Sequence, residues 1–303
     1  MKKYKLKDLK LTYRKLKISD YYEFKKLFYN CFSKQISFKF FKWRYFNDKS
    51  SFCYGVFKKS RLIANVGMIA LKLNNTNREI VFSRHSSMVL KDYRGIKVFS
   101  NLLKLVKKKT SQNVKKFIMW PNKNNFSNFG IEKKKVIGNK YYLYETSSSL
   151  KRIKKTKNYR IDQLTKYQNF ISSKDSFFYK DLNYFKKRYL SYKKNEYLLN
   201  KFESEGLFSF FILKYQKNKK DFRYIILEHF GSKKIRFKHF SSLINDNNKL
   251  IFLSKKKINK PNFQILNYLN FKIGFLKKYD LNDKIFVKNK DIFLGDTDIF
   301  ITL

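Results

Sequence analysis

Acidic residues, cysteine, proline, glycine and alanine are all scarce in this chain of 303 residues. The two cysteines, Cys31 and Cys53, form no Cys-x-x-Cys pair. That excludes a zinc site built from cysteine and leaves two free thiols, the pattern of a reducing cytosol. No uninterrupted apolar run approaches the roughly 18 residues a membrane-spanning helix needs. The basic start, Met1 to Asp8, is followed by no apolar segment, so no signal peptide is expected. These shortages predict a cytoplasmic protein without a membrane span, with peripheral contact to anionic lipid left open.

The shortage of acid is the largest. Asp and Glu number 22 against 70 Lys and Arg, a net charge of +48. Such a charge ordinarily points to nucleic acid or an acidic surface. Here the lysines are spread along the whole length. The chain is rich in Lys, Asn, Ile, Phe and Tyr and has only Ala64 and Ala70 as alanines, the signature of A- and T-rich codons. A generic basic face is favoured over a nucleic-acid groove, which stays possible. What is abundant is apolar and aromatic: 43% hydrophobic residues, with 33 Phe and 22 Tyr. A chain of this length and composition suits two domains with aromatic cores.

Residues 80–106 carry the strongest motif. Ile80 to Leu90 read as a β-strand. Val98, Phe99, Leu102, Leu103, Leu105 and Val106 recur at helical spacing. Between them runs Lys91-Asp92-Tyr93-Arg94-Gly95-Ile96-Lys97. A strand that feeds a helix through a short turn points backbone N–H groups outward, and the helix dipole adds positive charge there. Gly95 lets backbone approach a phosphate without a Cβ in the way. Arg94 and Lys97 add full charges. The turn is a candidate pyrophosphate cradle, although neither Gly-x-x-x-x-Gly-Lys-Ser/Thr nor Gly-x-Gly-x-x-Gly is present. An ordinary β-turn-α connection is the alternative.

This turn resembles the acyl-CoA loop of the Gcn5-related N-acetyltransferase (GNAT) superfamily, whose pattern is Gln/Arg-x-x-Gly-x-Gly/Ala. The matching positions are Asp92, Gly95 and Lys97, so the first and last depart from it. Phe40 to Asp48, with Trp43-Arg44-Tyr45, resembles an element near the start of larger members. Met119-Trp120-Pro121-Asn122, followed by Phe126, Phe129 and Gly138, resembles the fifth strand and the start of the next helix. The resemblance covers residues 10–145. It implies acetyl-CoA or another acyl-CoA as co-substrate, no metal, and CoA contacts from Met88, Val89, Leu90, Tyr93, Arg94, Gly95, Ile96, Lys97, Val98 and Asn122. The usual acid, a tyrosine after the fifth strand, is replaced here by Phe126 and Phe129.

The chain also repeats itself. Phe41-Lys42-Trp43-Arg44-Tyr45 is echoed by Phe185-Lys186-Lys187-Arg188-Tyr189, and Pro121-Asn122 by Pro261-Asn262. Tyr54–Lys72 matches Tyr197–Lys214 in character, and Gly138 matches Gly274. Echoes in order at a near-constant offset predict a duplicated unit. The expected fold is α+β: two tandem GNAT-like units, 1–150 and 151–303, each a mixed, mostly antiparallel sheet flanked by helices. The polar stretch Thr146 to Lys155 marks the join. Lys234-Ile235-Arg236 stands opposite Tyr93-Arg94-Gly95, so the second unit is expected to lack the phosphate cradle and to form the acceptor wall. The ending Gly295-Asp296-Thr297-Asp298-Ile299-Phe300 resembles two-unit GNAT-like proteins of bacterial surface-sugar clusters.

For chemistry, His85 is the candidate base because its unperturbed pKa is near neutrality; a structural histidine is the alternative. Glu79 is a second candidate, or merely flanks the turn at 74–77. Trp43, Glu228, Asp296 and Asp298 are candidate acceptor contacts. His85 is expected in a pocket with Glu228 or Asp296. The function this implies is acyl-CoA-dependent N-acylation of a small amine, such as an amino sugar or its nucleotide-linked form. The alternatives are an aminoacyl-tRNA-dependent transferase of the same fold and a non-catalytic protein that binds nucleic acid or glycan. The oligomeric state is not legible.

Overall fold

The computed structural model describes residues 9–47, 51–110, 116–119, 136–146, 157–171, 176–192, 196–217, 222–243, 248–260 and 263–275. Two compact units divide the chain, and both are assembled from separated segments. The first comprises Met1–Leu71, Ile80–Gly138 and Lys272–Leu281; the second comprises Lys72–Glu79, Asn139–Phe271 and Asn282–Leu303.

In the first unit the strands lie side by side in chain order: β1 (Leu11–Lys15), β2 (Phe52–Lys58), β3 (Arg61–Lys72), β4 (Ile80–Val89) and β5 (Lys116–Met119). β1 with β2 and β2 with β3 are antiparallel, while β4 and β5 are parallel. A parallel neighbour cannot be reached by a tight turn, so the chain crosses over through a helix, α3 (Val98–Thr110). Helix α3 buries Val98, Leu102, Leu103 and Val106, one stripe at helical spacing. Before the sheet come α1 (Tyr21–Phe32) and α2 (Phe38–Tyr45). The side chain of Ser37 accepts from the Phe40 N–H at 3.1 Å and caps α2. Phe24 of α1 meets Phe41 of α2 with ring centres 4.7 Å apart, and both rings are fully buried.

The second unit repeats the plan. β6 (Val136–Thr146) comes first in the chain; then β7 (Lys157–Arg160), β8 (Tyr197–Ser204), β9 (Leu207–Lys217), β10 (Phe222–Gly231) and β11 (Asn248–Ser254) lie side by side. β7 to β10 pair antiparallel, and β10 pairs parallel with β11. The crossover is again a helix, α5 (Arg236–Leu243). The short α4 (Leu182–Phe185) runs into a π-helical turn over Lys186–Leu190, where α2 stands in the first unit. The α+β class with two tandem units of mostly antiparallel sheet therefore holds. The expected join at 150/151 falls just beyond β6. Phe210, Phe211, Ile212 and Leu213 are consecutive and all buried, so β9 is covered on both faces. Such a run gives no alternation in the sequence.

Candidate functional site

The fourth strand of the first unit is broken by one residue. Ser86 has φ 46°, a left-handed backbone inside a β-strand. The β4–β5 ladder runs over Phe82↔Phe117 and Ser83↔Ile118 and so ends before Ser86. A bulge of this kind bends its strand and re-aims the residues after it. Here those residues are Ser87, Met88 and Val89.

Two side chains and a glycine hold the bulge. The Tyr45 hydroxyl hydrogen-bonds the Ser86 hydroxyl. The Asn65 amide donates to the Ser86 carbonyl at 3.1 Å. Gly67 makes the room: a Cβ there would sit 2.6 Å from the Tyr45 ring. Beside them Arg44 Nη2 lies 3.3 Å from His85 Nδ1. Arg44 and Tyr45 are thus placed by the Trp-Arg-Tyr element, under the strand that carries the site. Burial pushes the Tyr45 hydroxyl well above its ordinary pKa, so it stays protonated and can donate.

The loop after β4 is built from the same strand. Its end is tied to β3 by Leu90 N–H donating to Ile63 O at 2.9 Å. Lys91–Tyr93 form one 3₁₀ turn, and the Tyr93 side chain is buried. Arg94 Nε donates back to Val89 O at 3.1 Å. Gly95 has φ 80° and Lys97 has φ 65°. Two positive-φ residues with one residue between them, just before a helix, are a backbone setting from which anion-binding nests of N–H groups are built. A Cβ built at Gly95 meets nothing within 4 Å, so the loop is open at that point. Lys97 adopts a backbone that glycine takes without strain, and its carbonyl begins α3 by accepting from Asn101 N–H at 3.0 Å. Cys31 of α1 comes within 3.6 Å of Val89 O, next to this loop. Burial pushes the Cys31 thiol up, and Arg94 offsets part of that. A cavity of about 400 Å³ opens at the end of β4, between Leu90, the β2–β3 turn and the α1 residues Glu23, Lys26 and Asn30.

The other sequence candidates fall as follows. His85 is only 6% exposed and does not line the 400 Å³ cavity. A guanidinium can only donate, so in this geometry His85 Nδ1 accepts and the ring proton sits on Nε2. Glu79 lies in the turn, where its backbone and side chain both bond Asn75, and it belongs to the second unit. Trp43 is half-buried against Phe40. Glu228 is 0% exposed in the second unit. It accepts from Lys180 Nζ at 2.5 Å, Tyr189 OH at 2.8 Å and Tyr184 OH at 3.1 Å. Asn122, Phe126, Phe129, Asp296, Asp298 and both Pro-Asn pairs lie outside the described residues. No group of three or more His, Cys, Asp or Glu suited to a metal occurs among the described residues. Sequence reasoning missed Asn65, Gly67 and Ser86. They carry no motif and become a group only when β3, β4 and α2 meet.

The second unit corrects one expectation. Its fourth strand slips register between Ile226 and Glu228, and the β10–β11 ladder ends at Ile225↔Ile251. Gly231, with φ 87°, ends β10 where Phe208 O would stand 2.5 Å from a Cβ. Beyond the slip lies a cavity of about 540 Å³, lined by Lys233, Arg236 and Phe237 among others. The unit was expected to lack a concavity at this helix. The glycine is present, but at the strand end instead of in the turn, where alignment with Tyr93-Arg94-Gly95 could not find it.

No family model matches the chain, and no curated protein does. Solved structures do. A GCN5-related N-acetyltransferase from Anabaena variabilis superposes with a TM-score of 0.66 at 8% identity, over 88% of this chain and 73% of that one. A conserved protein of unknown function from Enterococcus faecalis V583 gives 0.64 at 15% identity, over 88% and 73%. A GCN5-related N-acetyltransferase from Kribbella flavida gives 0.58 at 11%, over 88% and 71%. The chain has the fold of these GCN5-related N-acetyltransferases.

Proposed function

We propose that the first unit binds acyl-CoA, in the first instance acetyl-CoA, and transfers its acyl group to a small amine. The observation that carries this is the pairing of the left-handed Ser86 in β4 with the open positive-φ turn at Gly95–Lys97 that leads into the following helix. The turn suits the CoA pyrophosphate, with Arg94 and Lys97 supplying charge. The re-aimed stretch Met88–Leu90 is then the place for the pantetheine arm and the thioester. Backbone N–H groups there would stabilise the developing oxyanion.

The reaction asks for little else. The amine nitrogen forms a bond to the thioester carbon, the C–S bond breaks, and the thiolate takes up a proton while the amine loses one. His85 serves in this scheme by holding the bulge in register through Arg44. As a direct base it would first have to part from that guanidinium. We assign the proton from the amine to a water relay. The acceptor we favour is an amino sugar or a nucleotide-linked amino sugar of bacterial surface polysaccharide, as the two-unit architecture and chain ending suggest. The enzyme would work in the cytoplasm, where acyl-CoA is made.

The test is binding followed by turnover. Acetyl-CoA at 100-fold over its Kd should stabilise the protein by about 2.7 kcal/mol. Gly95→Val should abolish that shift. Alkylation of Cys31 should slow when CoA is bound, because the thiol lies beside the loop. Free CoA should then be released from acetyl-CoA only when an amino sugar is added. No thermal shift with any acyl-CoA at millimolar concentration overturns the proposal. The charge of +48 favours one rival, transfer from aminoacyl-tRNA, and a shift with tRNA but not with CoA would support it.

A further inference from the structure

The 540 Å³ cavity of the second unit has no part in the scheme above, and much of its wall is hydrocarbon. Phe211 of β9, Ile226 of β10, Phe252 of β11 and Phe240 of α5 line it, with Ile258 and Phe263 from beyond β11. Phe211, Ile226 and Phe252 belong to the buried core of the unit, and Phe240, Ile258 and Phe263 pack against that core. The cavity is thus an opening into the core. The rings around it brace one another: Phe240 meets Phe252 edge to face at 4.6 Å, and Phe252 meets Phe263 at 5.9 Å. The first unit's 400 Å³ cavity is of another kind, with Glu23, Lys26, Asn30, Ser60 and Arg61 on its wall.

The uncharged polar side chains lining the cavity are Tyr141 and Ser254. Tyr141 is only 2% exposed. The Ser254 hydroxyl is spent on the Lys256 backbone, donating to its carbonyl at 2.8 Å and accepting from its N–H at 3.2 Å. A ligand with polar groups along its body would leave them unanswered here, at a cost; a hydrocarbon chain would not. An apolar cavity holds water poorly and takes up apolar molecules. The volume falls in the usual range for small-molecule sites, roughly 300–1,000 Å³. On the rim Phe237 runs nearly parallel to Phe240, with 17° between the planes, yet it is 69% exposed. A ring this open costs solubility unless something covers it. Lys256 and Lys260 also line the cavity and are exposed. Such side chains lay apolar stems along a wall and keep their ammonium groups in water. The chain as a whole carries +48, so its field favours an anionic head at the mouth over a cationic one, whatever each ammonium contacts.

We infer that this cavity is a second ligand site, for the hydrocarbon chain of a single-chain anionic amphiphile: a fatty acyl chain lies along Phe240, Phe252 and Ile258, Phe237 covers it at the mouth, and the anionic head stays in solvent beyond. The inference does not depend on acyl transfer by the first unit. The same chain occurs in free fatty acids, in acyl thioesters of CoA and in single-chain phospholipids, so the test must separate these sources.

Titration calorimetry on the full chain, below the micelle concentration of each probe, would use octanoate, decanoate, dodecanoate, dodecanoyl-CoA and dodecanoyl lysophosphatidylglycerol. Each added methylene should tighten binding of the free acids about fourfold, the worth of one buried CH₂. Dodecyltrimethylammonium, with the same chain and a cationic head, should bind more weakly than dodecanoate; equal binding would overturn the anionic head. Phe237→Asp puts a carboxylate at the mouth and should weaken dodecanoate about tenfold or more. Ile258→Trp narrows the cavity and should do the same. Phe237 is exposed, and Ile258 reaches the Tyr144 hydroxyl through its backbone N–H, so both variants should fold. An unchanged circular dichroism melt checks this, and the chain-length series on the wild type decides the matter without them. Gly95→Val should leave dodecanoate unchanged. In that variant, tightest binding of dodecanoyl-CoA would assign the site to an acyl thioester, of the lysolipid to a phospholipid, and of dodecanoate to a free acid. The inference fails if dodecanoate does not bind, if affinity ignores chain length, or if both folded variants bind as the wild type does. Failure here with the acetyl-CoA shift intact would leave the first-unit proposal standing.

Discussion

Removing the Glu228 carboxylate should unfold the second unit before it affects any substrate. Glu228 was a candidate acceptor contact, but its side chain is enclosed with Lys180, the two side chains 1% and 5% exposed. The ammonium nitrogen lies 2.5 Å from one carboxylate oxygen, and two tyrosine hydroxyls donate to the other. Burial first, and then the Glu228 charge, raises the Tyr189 hydroxyl well above its usual pKa, so it remains a donor across the working pH range. Glu228→Ala takes away a buried anion and leaves Lys180 without that counter-charge. Breaking a buried pair from one side costs about 3–5 kcal/mol. Glu228→Gln keeps the shape, but its single carbonyl cannot serve both the tyrosines and Lys180 and the counter-charge is gone, so it too should cost about 3–5 kcal/mol. Lys180→Met with Glu228→Leu removes both ions and should recover part of the loss. Recovery should stay incomplete, because Glu228 also supports Arg188. Burial lowers the pKa of that guanidinium, while Tyr184, Tyr189 and Glu228 raise it. Urea unfolding followed by far-ultraviolet circular dichroism reads all three variants. A Glu228→Ala protein within about 1 kcal/mol of wild type, with a raised KM for the amine, would refute this account and return Glu228 to the acceptor site.

Three further outcomes follow from named contacts. Tyr45→Phe removes the hydroxyl that holds Ser86; it should cost about 1 kcal/mol of stability, and kcat should fall with little change in acetyl-CoA binding. Equal activity would free the bulge of any part in turnover. Lys97→Gly relieves a left-handed backbone worth about 1–2 kcal/mol, offset by roughly 0.5–1 kcal/mol of chain entropy. Stability should therefore hold or rise slightly in denaturant titration, while CoA binding weakens with the loss of the Lys97 charge; a clear loss of stability would contradict the strain at this position. His239 is hydrogen-bonded to Asn200 and Ser209, and burial pulls its pKa from 6.5 down to about 3. The unfolded chain then binds the proton first, so stability should be complete above pH 6.5 and fall toward pH 3, by about 1.4 kcal/mol per unit from this group. Buried His229, also shifted well down, should steepen the fall. A melt unchanged between pH 7 and 5, or His239→Gln with the same slope, would rule this out.

What the sequence determined by itself is local or repeated. The strand, turn and helix of residues 80–106 were legible because strand and helix leave different periods, and a glycine marks the turn between them. The Phe-Lys-x-Arg-Tyr repeat pointed toward two units because an echo in sequence survives even when its meaning does not. Tertiary structure decided what those residues do. Arg44 and Tyr45 sit under a bulge that no motif marks, since Ser86 is an unremarkable serine until Tyr45 and Asn65 reach it from other elements. His85 and Glu228 looked like chemistry because histidines and acids are rare here; whether a titratable group faces solvent or a buried counter-charge depends on what packs over it. The cavity of the second unit was hidden for the same reason. Its cations and phenylalanines are separated along the chain in a background already crowded with both, and only the register slip in β10 and the placing of α5 bring them around one space.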